Sequence, residues 1–255
     1  MRYAAKCLLI QYRIAATTLI GIKINSPMLF SRGITMAITL YSGNRNASSW
    51  AFRAWLALRE QGIEFEEIII DIRRPQRWKN LATIGKFSPP AAVPVLVDNE
   101  CVIYDSSAIM EYANELGDGS LLPEDIKLRA QARSLVAWQH STFSKVCACL
   151  SFESAFYKEK KQLTANEVSS AEWVYSIWET HLTTNRGPYL VGEFSLADIA
   201  LVPSVLRLKS HCAVSEKFPL TKKWMKRLLE RPHVQKWLDE AYALEPIYCE
   251  GYYSS

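Results

Sequence analysis

Six cysteines (Cys7, Cys101, Cys147, Cys149, Cys212 and Cys249) are spread through 255 residues without one Cys-x-x-Cys step or a Cys/His pair at metal-ligand spacing. This argues against a zinc site, a dithiol redox motif and a disulfide framework, and a reducing compartment suits the thiols. Histidine is scarce: His140, His181, His211 and His233 are scattered, and none stands in a pattern that marks a general base. There is no internal repeat and no low-complexity tract beyond the short polar run 158–162. Acidic residues are missing from the first 35 positions, which carry Arg2, Lys6, Arg13, Lys23 and Arg32. Of 30 Lys+Arg and 26 Asp+Glu, positions 36–255 therefore hold 25 and 26. A body so close to neutral lacks the charge footprint of a nucleic-acid binder. Long apolar runs are also missing from the leader. Only nine residues separate Arg13 from Lys23 and there is no Ala-x-Ala cleavage site, which argues against a membrane anchor or a secretory signal. An acid-free, Arg-containing leader suits a mitochondrial presequence; the alternative is an extension upstream of a natural start at Met36. The expected location is the cytoplasm, or the mitochondrion if the leader is a genuine presequence.

What is present is core. The chain is 49% hydrophobic and 11% aromatic, with eight tryptophans, enough for one large domain or two small ones. From Met36 the pattern predicts a strand at 38–41, a polar loop at 42–49 and a helix at 50–61 closed by Gly62. A β-branched strand over 63–72 completes a β-α-β unit with parallel neighbours. Positions 73–86 are polar and read as irregular or partly helical. Two short strands joined by an Asp98-Asn99 turn, hence antiparallel, precede a helix carrying Ile109, Tyr112, Ala113 and Leu116 on one face. Gly117 to Pro123 breaks any helical period and reads as a linker. Everything after it is expected to be helical, with runs starting near Thr164, Ser195, Phe218 and Pro232. The expected division is a leader 1–35, a first domain 36–116, a linker 117–123 and an all-helical domain 124–255.

Two stretches are specific. Residues 93–106 read Val-Pro-Val-Leu-Val-Asp-Asn-Glu-Cys-Val-Ile-Tyr-Asp-Ser: a Val-Pro step, two strands and a polar pair opening a helix. Residues 194–201, Phe-Ser-Leu-Ala-Asp-Ile-Ala-Leu, place Ser195 and Asp198 three apart as a capping box before a helix that is apolar on nearly every side. In this order, over about residues 37–244, the chain resembles glutathione S-transferases, near the zeta branch that includes maleylacetoacetate isomerases. The resemblance implies an α/β plus all-α fold: a thioredoxin-like domain, then the helical domain of that family.

It also implies the chemistry. Glutathione is the co-substrate, no metal is needed, and a small electrophile and a homodimer partner complete the picture, with no nucleic acid and no membrane. Val93, before a cis Pro94, would pair its main chain with the cysteine of glutathione like an added strand. Ser106, at a helix N-terminus, suits the γ-glutamyl carboxylate and Asp105 its ammonium, although the pair also reads as a plain helix cap. A free thiol has a pKa of about 8.5, so a donor must stabilise the thiolate. The zeta motif resembles Ser-Ser-Cys-x-Trp, and anchoring it on Trp50 and Arg53 puts its leading serine on Asn46 and its cysteine on Ser48. The donor is therefore Ser48, then Ser49, with the Asn46 amide as an alternative, and both serines also read as helix caps. A second departure is Pro89-Pro90-Ala91-Ala92, which lacks the polar residue the family often carries; Lys86 or Arg45 would have to substitute. Trp138, Phe143, Phe152 and Phe156 fall where the family builds its apolar pocket, and read equally as core. The reaction is conjugation, isomerisation of a small unsaturated acid, or peroxide reduction. The competing class is a non-catalytic binding or regulatory protein on the same fold.

Overall fold

The computed structural model describes residues 38–143, 150–249 and 252. The readings on the 1–35 leader, Met36, Cys7, Cys147 and Cys149 and the side chain of Phe143 lie outside the described residues. Strand β1 (Ile38–Gly43) leads into α1 (Ser49–Glu60), and β2 (Phe65–Ile70) returns parallel to β1 with Ile38 opposite Phe65. A short α2 (Arg77–Ile84) fills the polar stretch after it. Then β3 (Val95–Asp98) pairs antiparallel with both β1 and β4 (Cys101–Tyr104), and α3 (Ser106–Leu116) closes the unit. The sheet order is β2-β1-β3-β4, a thioredoxin-like topology. Gly62 at φ +64 ends the α1 turn as the sequence implied, in a conformation where a Cβ is penalised.

The second half is helical: α4 (Ile126–Trp138) continuing as a π-helical turn (Gln139–Phe143), a 3-10 turn (Glu153–Phe156), α5 (Ala165–Asn185), α6 (Leu196–His211), α7 (Pro219–Leu229) and α8 (Pro232–Tyr242). Their N-caps are Thr164, Ser195, Phe218 and Arg231 for α5 to α8, within one residue of the starts read from the sequence. Helix α1 is buried on nearly every side because the sheet unit and the helical unit share it; it packs on α3, α6 and α8. Phe52 stacks flat on Trp237 at 4.5 Å, and Trp55 meets the same indole edge-on at 5.4 Å. No helix among the described residues is long and apolar enough to cross a membrane.

The capping box forms. Ser195 Oγ accepts from the Ala197 N–H at 3.3 Å, and Asp198 Oδ2 accepts from the Ser195 N–H at 3.0 Å. Asp198 does more than cap: Oδ1 accepts from Trp224 Nε1 at 2.8 Å and from the Leu190 N–H at 3.2 Å, which ties α6 to α7 and to the preceding loop. Burial pushes this carboxyl up to about 6, outweighing the hydrogen bonds that favour its charge. The folded value lies above the unfolded one of about 3.9, so the stabilisation from proton binding is complete below that value and is lost as pH rises through 6. The stability penalty of Asp198→Asn, measured by urea unfolding, should therefore shrink by roughly 2 to 3 kcal/mol between pH 4 and pH 7. A pH-independent penalty would contradict this.

Candidate active site

The loop between β1 and α1 is held by its own main chain. Asn44 O accepts from the N–H groups of Ala47 and Ser48 at 3.0 and 2.9 Å, and Asn44 Oδ1 accepts from the Ile72 N–H at 2.8 Å. Gly43 is needed beneath it, because a Cβ there would come within 2.7 Å of Ser48 Cβ. Ser48 is the N-cap of α1, its Oγ accepting from the Ala51 N–H at 3.2 Å, which leaves its own hydroxyl proton to donate elsewhere. Ser49 is the first residue of the helix, and its Oγ forms no hydrogen bond among the described residues. Both serines line a cavity of about 520 Å³ whose far wall is Phe152, Glu153 and Arg207. Asn46 is not brought there. Its Nδ2 donates to the Glu245 carbonyl at 2.9 Å, and the side chain is buried.

The Val93–Pro94 peptide is cis, as the family resemblance implied. Neither the N–H nor the C=O of Val93 is hydrogen-bonded among the described residues. Val93, Ala92 and Trp50 line the serine cavity and also a second one of about 370 Å³, so the two form one groove. The second cavity ends at Tyr104, Asp105 and Ser106. Asp105 caps α3 by accepting from the Ser107 N–H at 2.7 Å, in a backbone conformation (φ 74, ψ 129) that costs a non-glycine residue about 1 to 3 kcal/mol. Ser106 is 2% exposed and its Oγ is buried without a partner, an arrangement native proteins rarely leave unexplained.

Two contributors were given no role in the site by the sequence. His140, on the π-helical turn, reaches Asp105 Oδ2 with Nε2 at 3.5 Å and Ser107 Oγ with Nδ1 at 3.4 Å, and its ring lies 5.0 Å from that of Trp50. Arg53 is wholly buried under Trp50, 4.3 Å from its ring, donating to Ala200 O at 2.7 Å and Ser49 O at 3.3 Å. Burial, and after it the Arg207 charge, pulls its pKa well down. Such long-range pairings follow no period along the chain. One expectation is corrected: Arg45 does not face the groove. It makes a two-pronged pair with Glu67 at 2.5 and 2.7 Å, donates to Glu240 at 2.6 Å and lies 4.2 Å over the Trp237 ring. Lys86 is exposed and lines neither cavity. Phe152 serves both cavity and core, and Phe156 packs edge-on to it at 5.3 Å. Trp138 instead packs edge-on against Trp173 at 6.1 Å. No cluster of three or more His, Cys, Asp or Glu among the described residues could hold a metal.

A thioredoxin-like sheet unit, a helical unit sharing α1, and a groove joining two helix N-termini define a glutathione transferase architecture. Residues 47–116 match the profile of "Glutathione S-transferase, N-terminal domain" and residues 143–241 that of "Glutathione S-transferase, C-terminal domain". The chain belongs to the glutathione S-transferase family. It is 29% identical over 209 residues to Glutathione S-transferase Z1 of Arabidopsis thaliana, covering 80% of this chain and 92% of the relative. It is 28% identical over 220 residues to Glutathione S-transferase 1 of Dianthus caryophyllus, covering 81% and 97%. A solved glutathione transferase homolog from Burkholderia, with bound glutathione, shares its fold at TM-score 0.60 and 24% identity, over 82% of this chain and 100% of that one.

Proposed function

We infer that the chain is a glutathione transferase that binds glutathione in the Ser106–Val93–Ser48 groove and stabilises its thiolate for attack on a small electrophile. The observation that carries this reading is the orphaned Ser106 hydroxyl at the N-terminus of α3, beside Asp105 and the unpaired main chain of Val93. A γ-glutamyl carboxylate would satisfy that hydroxyl and the helix N-terminus together, Asp105 would take the ammonium, and Val93 would pair with the cysteine. The peptide then crosses Trp50 and carries its sulfur toward Ser48 and Ser49, at the positive end of α1. Ser48 is the preferred donor because the Ala51 N–H polarises its oxygen while its proton stays available. Conjugation is the reaction this thiolate supports directly; isomerisation and peroxide reduction use the same thiolate with other partners. A cytoplasmic setting, rich in glutathione, goes with this reading.

The test separates binding from folding. Ser106→Ala removes a buried hydroxyl that has no partner in the free protein, so its unfolding free energy should change by less than about 1 kcal/mol or rise. Glutathione affinity should fall by about 1 to 3 kcal/mol in calorimetry, since a charge-assisted bond is lost. Unchanged affinity would sink the assignment. The family habit of pairing subunits, and a body too close to neutral to oppose association, lead us to expect a homodimer. Light scattering that gives a monomer at micromolar concentration would contradict it.

A further inference from the structure

The serine cavity holds one carboxyl that thiolate formation leaves unused. Ile72, Leu81, Leu150 and Phe152 give it apolar walls, and Glu153 is the single carboxylate among the described residues that line it. The 3-10 turn sets that side chain there: Phe152 before it and Ser154 to Phe156 after it are buried, and the half-buried Glu153 is left on the side of the cavity. The charged and titratable groups around it are Arg207 from α6, Arg77 from α2, Arg73 and Arg74 ahead of α2, and Tyr248 and Cys249 from the C-terminal segment. Arg73 is paired with Asp71 at 2.6 Å, and Cys249 Sγ accepts from Ser151 Oγ at 3.5 Å. The Tyr157 hydroxyl, which feels the Glu153 charge, donates to Ile247 O and accepts from the Cys249 N–H, both at 2.7 Å. Burial is the largest influence on the Glu153 carboxyl and raises its pKa above the ordinary glutamate value. Its own N–H, the Arg207 charge, Ser151 and the Arg77 charge pull the other way and offset this only in part. A glutathione thiolate against Ser48 and Ser49 would push the carboxyl further up, because two anions in one cavity with apolar walls disfavour each other's charge. Two titratable groups driven apart in this way divide into nucleophile and acid.

We propose that Glu153 is a catalytic general acid, which gives its proton to the oxygen that becomes anionic when the glutathione thiolate opens an epoxide. The inference rests on the transferase reading and deepens it by naming a substrate class whose reaction needs a proton. In the step, the sulfur–carbon bond forms at the terminal epoxide carbon, and the carbon–oxygen bond breaks with its electron pair moving to oxygen. That oxygen takes the Glu153 proton and becomes a hydroxyl beside the new thioether. The thiol proton has already passed to solvent, and the carboxylate regains a proton from solvent before the next turnover. The probes are 1,2-epoxy-3-(4-nitrophenoxy)propane and 1-chloro-2,4-dinitrobenzene, each at saturating glutathione. Chloride leaves the second probe as an anion and takes no proton. The ratio of the two kcat/KM values therefore cancels the titration of the thiolate they share and isolates the acid.

In the parent the ratio of epoxide to aryl chloride should fall about 5-fold or more as pH rises from about 5.5 to about 8, since only the protonated carboxyl donates. Glu153→Gln should lower the epoxide's kcat/KM about 30-fold or more at about pH 6, leave the aryl chloride within about 3-fold, and make the ratio independent of pH. Damage to the fold would slow both probes and leave the slope of the ratio in place. A ratio that is flat with pH in the parent overturns the proposal without any variant. Equal slowing of both probes by Glu153→Gln overturns it too, as does aryl chloride turnover with no epoxide turnover. Aryl chloride turnover by the parent reports on the transferase reading by itself: if neither probe reacts above the uncatalysed rate, that reading fails and takes the proposal with it.

Discussion

Arg45→Met should destabilise the protein by about 3 to 5 kcal/mol, a large part of the 5 to 15 kcal/mol that holds a typical domain together. The side chain of Arg45 is 7% exposed and that of Glu67 14%, so removing the guanidinium leaves Glu67 in a half-dry pocket without a counter-charge. The contact over Trp237 is lost in the same step, and Trp237 Nε1 donates to the Arg45 carbonyl at 3.0 Å. The pair with Glu240 contributes little, because that carboxylate is 41% exposed and screened by water. Since Arg45 joins the β1–α1 loop to α8, the loss should loosen the seat of Ser48 as well. Urea unfolding checks the magnitude. Adding Glu67→Gln to the variant should recover part of the loss, because the unpaired buried charge goes with it. A penalty below about 1 kcal/mol would show that the pair is solvated and the loop is held by other contacts.

Ser48→Ala should cut turnover about 10-fold or more at neutral pH while glutathione affinity stays nearly unchanged, because the lost bond belongs to the thiolate. It also removes the cap of α1, at a stability cost of about 1 kcal/mol, so the protein should remain folded at assay temperature. Ser49→Ala keeps that cap and lines the same cavity, which makes it the sharper control for a donor role. Asn46→Ala should lower stability through its bond to Glu245 and leave the thiol alone. If Ser49→Ala alone reproduces the loss of turnover, the donor is the second serine. If none of the three alters the thiol, the helix N-terminus acts by itself or the chain does not activate glutathione.

The parts of the site that were legible in the sequence are those set by local chemistry. The Asp98-Asn99 turn and the Asp105-Ser106 pair each dictate their own backbone, a hairpin turn with Asn99 at φ 55 and a helix cap, whereas the cis state of Val93-Pro94 was legible only through the family resemblance. Thr164 and Ser195 announced their helices for the same reason, since a cap acts within one turn. The assignment of Asn46 and Arg45 to the groove failed because nothing nearby shows where a side chain in a loop will point. Asn46 is taken by a carbonyl 199 positions away, and Arg45 by Glu67 on β2 and Glu240 on α8. His140, Glu153 and Arg207 meet the groove only because α4, the 3-10 turn and α6 converge there, and no periodicity encodes that convergence.

The central claim is that this groove binds glutathione and lowers the pKa of its thiol. Ultraviolet titration of the thiolate in the saturated complex tests it most directly. The account predicts a midpoint at least one unit below the value of about 8.5 for a free thiol, moving back up in whichever serine variant removes the donor. Glutathione that fails to bind, or that titrates on the protein as it does in water, would contradict it.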